Sequence, residues 1–212
     1  MGHTRLHPEM LKSNMTAQDV MRLLIVQAVD AAIRERYPKR YLSLCHDYAI
    51  IGSNVASIVL GREYRPVAGL AVIDCGGGCF MRFTDDQAFF KDGGGAYHCW
   101  IESCAPGGCD KEIIDISSMH KEAFAKSHNM TWRKTPPGYV WGRARDLVID
   151  AELHNLPPAF PDGKIWLRET RNGIEWLNRR VAAHVEYYVT STASALKKVQ
   201  RESAFLSELV SG

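Results

Sequence analysis

Ala96-Tyr97-His98-Cys99-Trp100-Ile101-Glu102 and Glu112-Ile113-Ile114-Asp115-Ile116 both alternate in the manner of half-buried strands. The glycine-rich stretch Pro106-Gly107-Gly108 lies between them, so the spacing predicts an antiparallel hairpin with residues 104–109 as its loop. In that register Ser103 faces Asp110 and, five steps further in, His98 faces Asp115. Facing side chains leave the same side of a sheet with Cβ atoms about 4.5–5.5 Å apart. A carboxylate at that distance holds an imidazole in one tautomer and stabilises its cation. Such a pair is the supporting half of a nucleophilic triad, and Cys45 is the candidate for the other half.

Outward from this hairpin, Thr16 and Asp19 mark a helix start. The stripe Val20, Leu23, Leu24, Ala28, Ala31 and Ala32 follows and stops before Pro38. A second helix is predicted from Cys45 to about Leu60, with Tyr48, Ile51, Val55, Ile58 and Val59 on its buried side and Gly61 as its end. Strands are predicted at Val67 to Ile73 and Phe80 to Phe83, around the turn Cys75-Gly76-Gly77-Gly78-Cys79. Residues 117–162 read as irregular and Lys164 to Arg168 as one further strand. Ile174 to Leu209 reads as helix broken near Thr190-Ser191-Thr192. Helices, then antiparallel strands, then helices predict an α+β fold with its N-terminal helices packed on the sheet, all 212 residues forming one domain.

Charged residues make up 24% with a net charge of +2, and no run of Lys or Arg forms a basic stripe, so nucleic acid is not an expected partner. Met1 to Asn14 contains no apolar run, so neither a signal peptide nor a membrane anchor is expected there. Other apolar stretches are too short to span a bilayer. The expected setting is the cytoplasm. There the six cysteines stay reduced and serve catalysis, metal binding or packing rather than a disulfide framework.

A cysteine in the first turn of a helix sits among unpaired N–H groups at the positive end of the helix dipole, and both favour the thiolate. Cys45 is placed that way, after Arg40-Tyr41-Leu42-Ser43-Leu44. A nearby imidazole lowers the thiol pKa further and later protonates a leaving group. The competing reading of Cys45 is a small buried hydrophobe.

These residues resemble a known family. A cysteine at a helix start, then strands, then His-x-Trp-Ile/Val-Glu, then a strand ending in Asp is similar to the transglutaminase-like branch of the papain-like cysteine proteinase superfamily. His98-Cys99-Trp100-Ile101-Glu102 carries the histidine motif and Ile113-Ile114-Asp115 the aspartate strand. The resemblance extends over residues 40–117 and implies a papain-like fold, in a core shared by bacterial proteins of unassigned function. It implies Cys45 as nucleophile, His98 as general base and acid, and Asp115 as the orienting group. The implied activity is acyl transfer through a thioester, by a peptidase or amidase on a peptide or amide substrate, or by a transglutaminase-type enzyme to an amine. No organic cofactor is required. The Cys45 N–H is one oxyanion donor. No glutamine stands shortly upstream, Gln27 being part of the first helix, and the second donor is left unnamed.

The rival function is a non-catalytic binding module with a structural zinc. Cys75 and Cys79 bracket three glycines, Cys104 and Cys109 bracket Ala105-Pro106-Gly107-Gly108, and both loops resemble metal knuckles. In an antiparallel meander the two turns share one end of the sheet, so the four thiolates would converge. Cys99 is expected to point away from the His98 face, into the core. Trp100 shares the His98 face, as a wall of the thiolate pocket or as core. Glu102 is expected to face solvent, and His46 and Asp47 read as first-turn polar residues outside the triad. Gly93-Gly94-Gly95 reads as a flexible approach to His98. Tyr139 and Trp141 read as a cleft cover or a packed arm. Trp176, Val181, Val185, Tyr188 and Val189 read as core or as the surface of a homo-oligomer.

Overall fold

In the computed structural model, residues 15–90, 96–104, 111–136 and 138–211 are described, with side chains as far as 205. The glycines at 93–95, the hairpin loop at 105–110 with Cys109, and the segment 1–14 lie outside the described residues.

Thr16 caps α1 (Ala17–Arg36): its hydroxyl accepts from the Asp19 N–H at 3.1 Å, and the Asp19 carboxylate accepts from the Thr16 N–H at 3.1 Å. α2 spans Cys45–Leu60 and ends at Gly61, whose φ of 65° closes the helix in the left-handed region. Tyr48, Ile51 and Val55 are buried as expected, whereas Ile58 is 63% exposed.

The sheet is built around β1 (Tyr64–Gly76), longer than the predicted strand. β2 (Cys79–Phe83), β3 (His98–Ser103), β4 (Glu112–Asp115), β5 (Val140–Arg143) and β6 (Trp166–Glu169) complete it. Gly69 pairs with His98 on one side and Glu169 on the other, while Ala71 pairs with Phe83 and with Leu167. Since β6 takes one edge of β1, β2 and β3 must lie end to end along the other. The chain leaves this line of strand after Phe83 and rejoins it at His98, and the Asp85 N–H donates to the Ala96 carbonyl at 3.2 Å. This is not the predicted meander.

One face of the sheet carries α1, α2 and the C-terminal helices, in a core that includes Ile25, Val29, Ile51, Val55, Ile101, Ile114, Leu177 and Val199. The other face is covered by the stretch predicted to be irregular. That stretch holds α3 (Lys121–Ser127), the short α4 (Ala144–Leu147) and β5, which pairs with β4. From it Ala125 and Ile165 are buried against Ala71, Ile73 and Met81, while Phe160 packs on Val72 and Trp166, which the strand alternation sets on the opposite side. Trp141, opposite Ile114 in the sheet, instead packs half-buried against the helix-face core, with the Arg22 guanidinium 5.4 Å from its ring centroid.

α5 (Arg171–Ala183) and α6 (Val185–Ser211) meet at His184, not at Thr190-Ser191-Thr192. The hydroxyl residues mark a helix contact instead of a break: Thr192 accepts from the Asn54 amide of α2 at 3.3 Å. A Cβ on Gly173 would come within 2.3 Å of the Ala68 carbonyl oxygen, so only glycine lets α5 lie this close to β1. Among the described residues no helix is long and apolar enough to cross a membrane.

Candidate active site

One close approach brings Cys45 to the level of His98. A Cβ on Gly52 would lie 2.8 Å from Ile101 Cδ1, so the bare glycine lets α2 settle onto β3 at Ile101. Seven residues of helix back from there cover about 10.5 Å, and three residues of strand from Ile101 to His98 cover about 10 Å. The helix start and the strand start therefore coincide, and Cys45 interacts with both His98 and Cys99.

His98 is fully buried, and its Nε2 lies 2.8 Å from Asp115 Oδ2. A carboxylate only accepts, so Nε2 carries the proton and Nδ1 is left as the acceptor, 3.3 Å from the Lys121 ammonium. Asp115 is held in turn: its Oδ1 accepts from the Ser117 hydroxyl at 2.7 Å and the Ser118 N–H at 3.1 Å, capping the 3-10 turn Ile116–His120. The observed register pairs Ile101 with Ile114 and Glu102 with Ile113, two residues away from the predicted one. Continued inward, it sets Asp115 opposite Trp100 and makes His98 and Asp115 diagonal neighbours. An even shift keeps both on one face, so the pair forms all the same.

The electrostatics follow from these contacts. The Cys99 thiol, donating toward the Cys45 sulfur, is the largest influence on Cys45; burial opposes it, His46 and His98 assist it, and the Cys45 pKa falls well below the usual thiol range. Burial and then the Cys45 contact push the Cys99 thiol well up. For His98, burial and then the Lys121 ammonium act to lower the pKa, but Asp115 and Cys45 outweigh them and the net shift is upward. Burial works to raise Asp115, and the charge and hydrogen bond of His98, with Lys121 and Ser117, bring it below its ordinary value.

Four residues near this centre were not foreseen. Lys121 is 4% exposed, with its Nζ 3.3 Å from His98 Nδ1 and 4.9 Å from the Phe83 ring centroid. His46 is buried beside the thiol, and Cys99, although directed to the helix face as predicted, is a partner of Cys45. Glu102 is buried, not solvent-facing: it accepts from Trp100 Nε1 at 3.1 Å, Lys111 at 2.8 Å and Arg65 at 2.9 Å. It thereby anchors Trp100, whose ring stacks beside His98 with centroids 6.3 Å apart, while Phe83 stacks on the imidazole at 5.6 Å. The alternation His98-Trp100-Glu102 was the available signal for that row. Lys121 had none, because it arrives from a segment distant in sequence.

Asp115 and Lys121 also border a cleft of about 420 Å³ on the sheet face away from α2, lined further by Asp74, Trp132, Arg133 and Lys134. The predicted four-thiolate zinc site is not assembled. Cys75 and Cys79 sit at one end of β1, while the Cys104 N–H bonds the Glu63 carbonyl at the other. That separation is roughly 40 Å along the strand. The reason is topological: β2 and β3 follow each other along one edge, so their turns fall at opposite ends. No group of three metal-ligating side chains occurs among the described residues.

The α+β architecture has a counterpart among solved structures. A chain described as "The crystal structure of genomics APC5867" superposes with a TM-score of 0.59 at 15% identity, covering 88% of this chain and 82% of that one. At that identity the likeness concerns the fold. No family model matches the chain, and neither does any curated protein.

Proposed function

We propose that the chain is a cysteine-dependent acyl-transfer enzyme, a peptidase or amidase of the transglutaminase-like, papain-like type, acting on a peptide or amide substrate in the cytoplasm. What carries this reading is the buried His98–Asp115 pair beside a thiol whose pKa is well depressed. The Cys45 thiolate attacks the substrate carbonyl carbon, and the C=O π pair moves onto oxygen. Collapse of that oxyanion breaks the C–N bond, and the His98 imidazolium gives its Nδ1 proton to the departing amine. Water then attacks the thioester while His98 takes its proton, releasing the carboxylate and the thiolate. With an amine in place of water the same cycle is a transferase.

Limiting iodoacetamide at mildly acidic pH tests the proposal without a known substrate. Peptide mapping should find Cys45 modified first, and His98→Ala should slow the modification by about tenfold or more. An unlabelled Cys45, or one equally fast in His98→Ala, overturns it.

A further inference from the structure

The sequence names no second oxyanion donor, and His46 stands where one is needed. Cys45 and His46 open a helix of 16 residues, and their N–H groups have no acceptor inside it. The His46 side chain is 8% exposed and assists the Cys45 thiolate, yet neither ring nitrogen is hydrogen-bonded to any nitrogen or oxygen of the described residues. Buried polar groups are nearly always paired, so this one calls for an explanation. Nε2 lies 3.4 Å from Asp47 Oδ1 without making a hydrogen bond, and Asp47 already accepts from the hydroxyls of Tyr187 at 3.2 Å and Tyr188 at 3.0 Å. The Trp176 ring meets the imidazole edge-on, with centroids 5.5 Å apart, and helps fix its orientation.

We propose that the start of α2 is an anion site made of the Cys45 and His46 N–H groups and the His46 imidazole, and that its ligand is the oxyanion of the tetrahedral intermediate on Cys45. This rests on the acyl-transfer reading. His98 remains the base, since Asp115 orients it; His46 supplies an N–H to charge that exists only after the carbonyl is attacked.

Two reactions of the same sulfur separate this role from a general effect on the thiolate. Alkylation by iodoacetamide displaces iodide and forms no oxyanion. Acylation by p-nitrophenyl acetate forms a C–S bond, places the π pair on oxygen, and then expels p-nitrophenolate. On the alkaline plateau of each pH profile, His46→Phe should slow the acylation burst by about 100-fold while changing alkylation by no more than about twofold. His46→Asn, which keeps an N–H donor, should recover part of the loss. Should His46→Phe not fold, His46→Leu against His46→Asn makes the same comparison. Unchanged acylation overturns the proposal, as does a parallel fall of both reactions that Asn does not relieve. If the wild-type protein is neither alkylated preferentially nor acylated at Cys45, the acyl-transfer reading itself fails and takes this donor with it.

Discussion

At His98 two opposing sets of charges meet, and they make its pH behaviour predictable. Its raised pKa contributes stability that is complete below the ordinary 6.5 and lost as pH rises through the raised value. The lowered pKa of Asp115 contributes stability that is complete above 3.8 and lost as pH falls through the lowered value. Urea unfolding across pH should therefore show the largest gap between wild type and Asp115→Asn between these two values, narrowing on either side. A gap that does not vary with pH would mean that the pair carries no charge. Lys121 works against the imidazolium from 3.3 Å. Lys121→Met should move the His98 pKa further up and Asp115 upward as well, as followed by NMR titration of the imidazole C–H protons. A downward shift at His98 would refute the assigned role of this ammonium.

At the scale of elements, two glycines set how closely helices approach the sheet. A methyl on Gly173 meets the Ala68 carbonyl oxygen, a backbone atom that cannot rotate away. Gly173→Ala should cost about 1–3 kcal/mol of stability, read from thermal or urea unfolding. A methyl on Gly52 meets only the ends of Ile101 and Ile116, which yield more easily. Gly52→Val should lift α2 off β3 and slow Cys45 alkylation out of proportion to any loss of stability. Both helix starts were legible, because capping and the 3.6-residue stripe are local signals. β5 was not, because four residues containing Gly142 carry too little alternation to stand out until β4 offers them an edge.

Across the whole molecule, the C-terminal helices are tied to the start of α2 through one buried carboxylate. Asp47 is 1% exposed and receives the hydroxyls of Tyr187 and Tyr188, while Arg180 donates to the Tyr188 oxygen at 3.0 Å. Tyr188→Phe should cost about 1–3 kcal/mol by leaving Asp47 and Arg180 short of partners. A double-mutant cycle with Asp47→Asn should show strong coupling, and additive effects would refute the tie. Through Asp47 and Trp176 the same helices confine His46, so the last third of the chain shapes the site without supplying a nucleophile or a base.

The amino-acid sequence by itself determined the α+β order of elements, the placement of Cys45 at a helix start, and the shared face of His98 and Asp115. Period and parity are local properties, and parity survives an even error in register. Only the tertiary structure decided that β2 and β3 run end to end along β1, which parts the cysteine loops. It also decided that Lys121, Cys99 and His46 gather around the thiol and its imidazole. Those positions depend on how strands share edges and how closely helices approach, through contacts between residues far apart in the chain, and no local spacing encodes them.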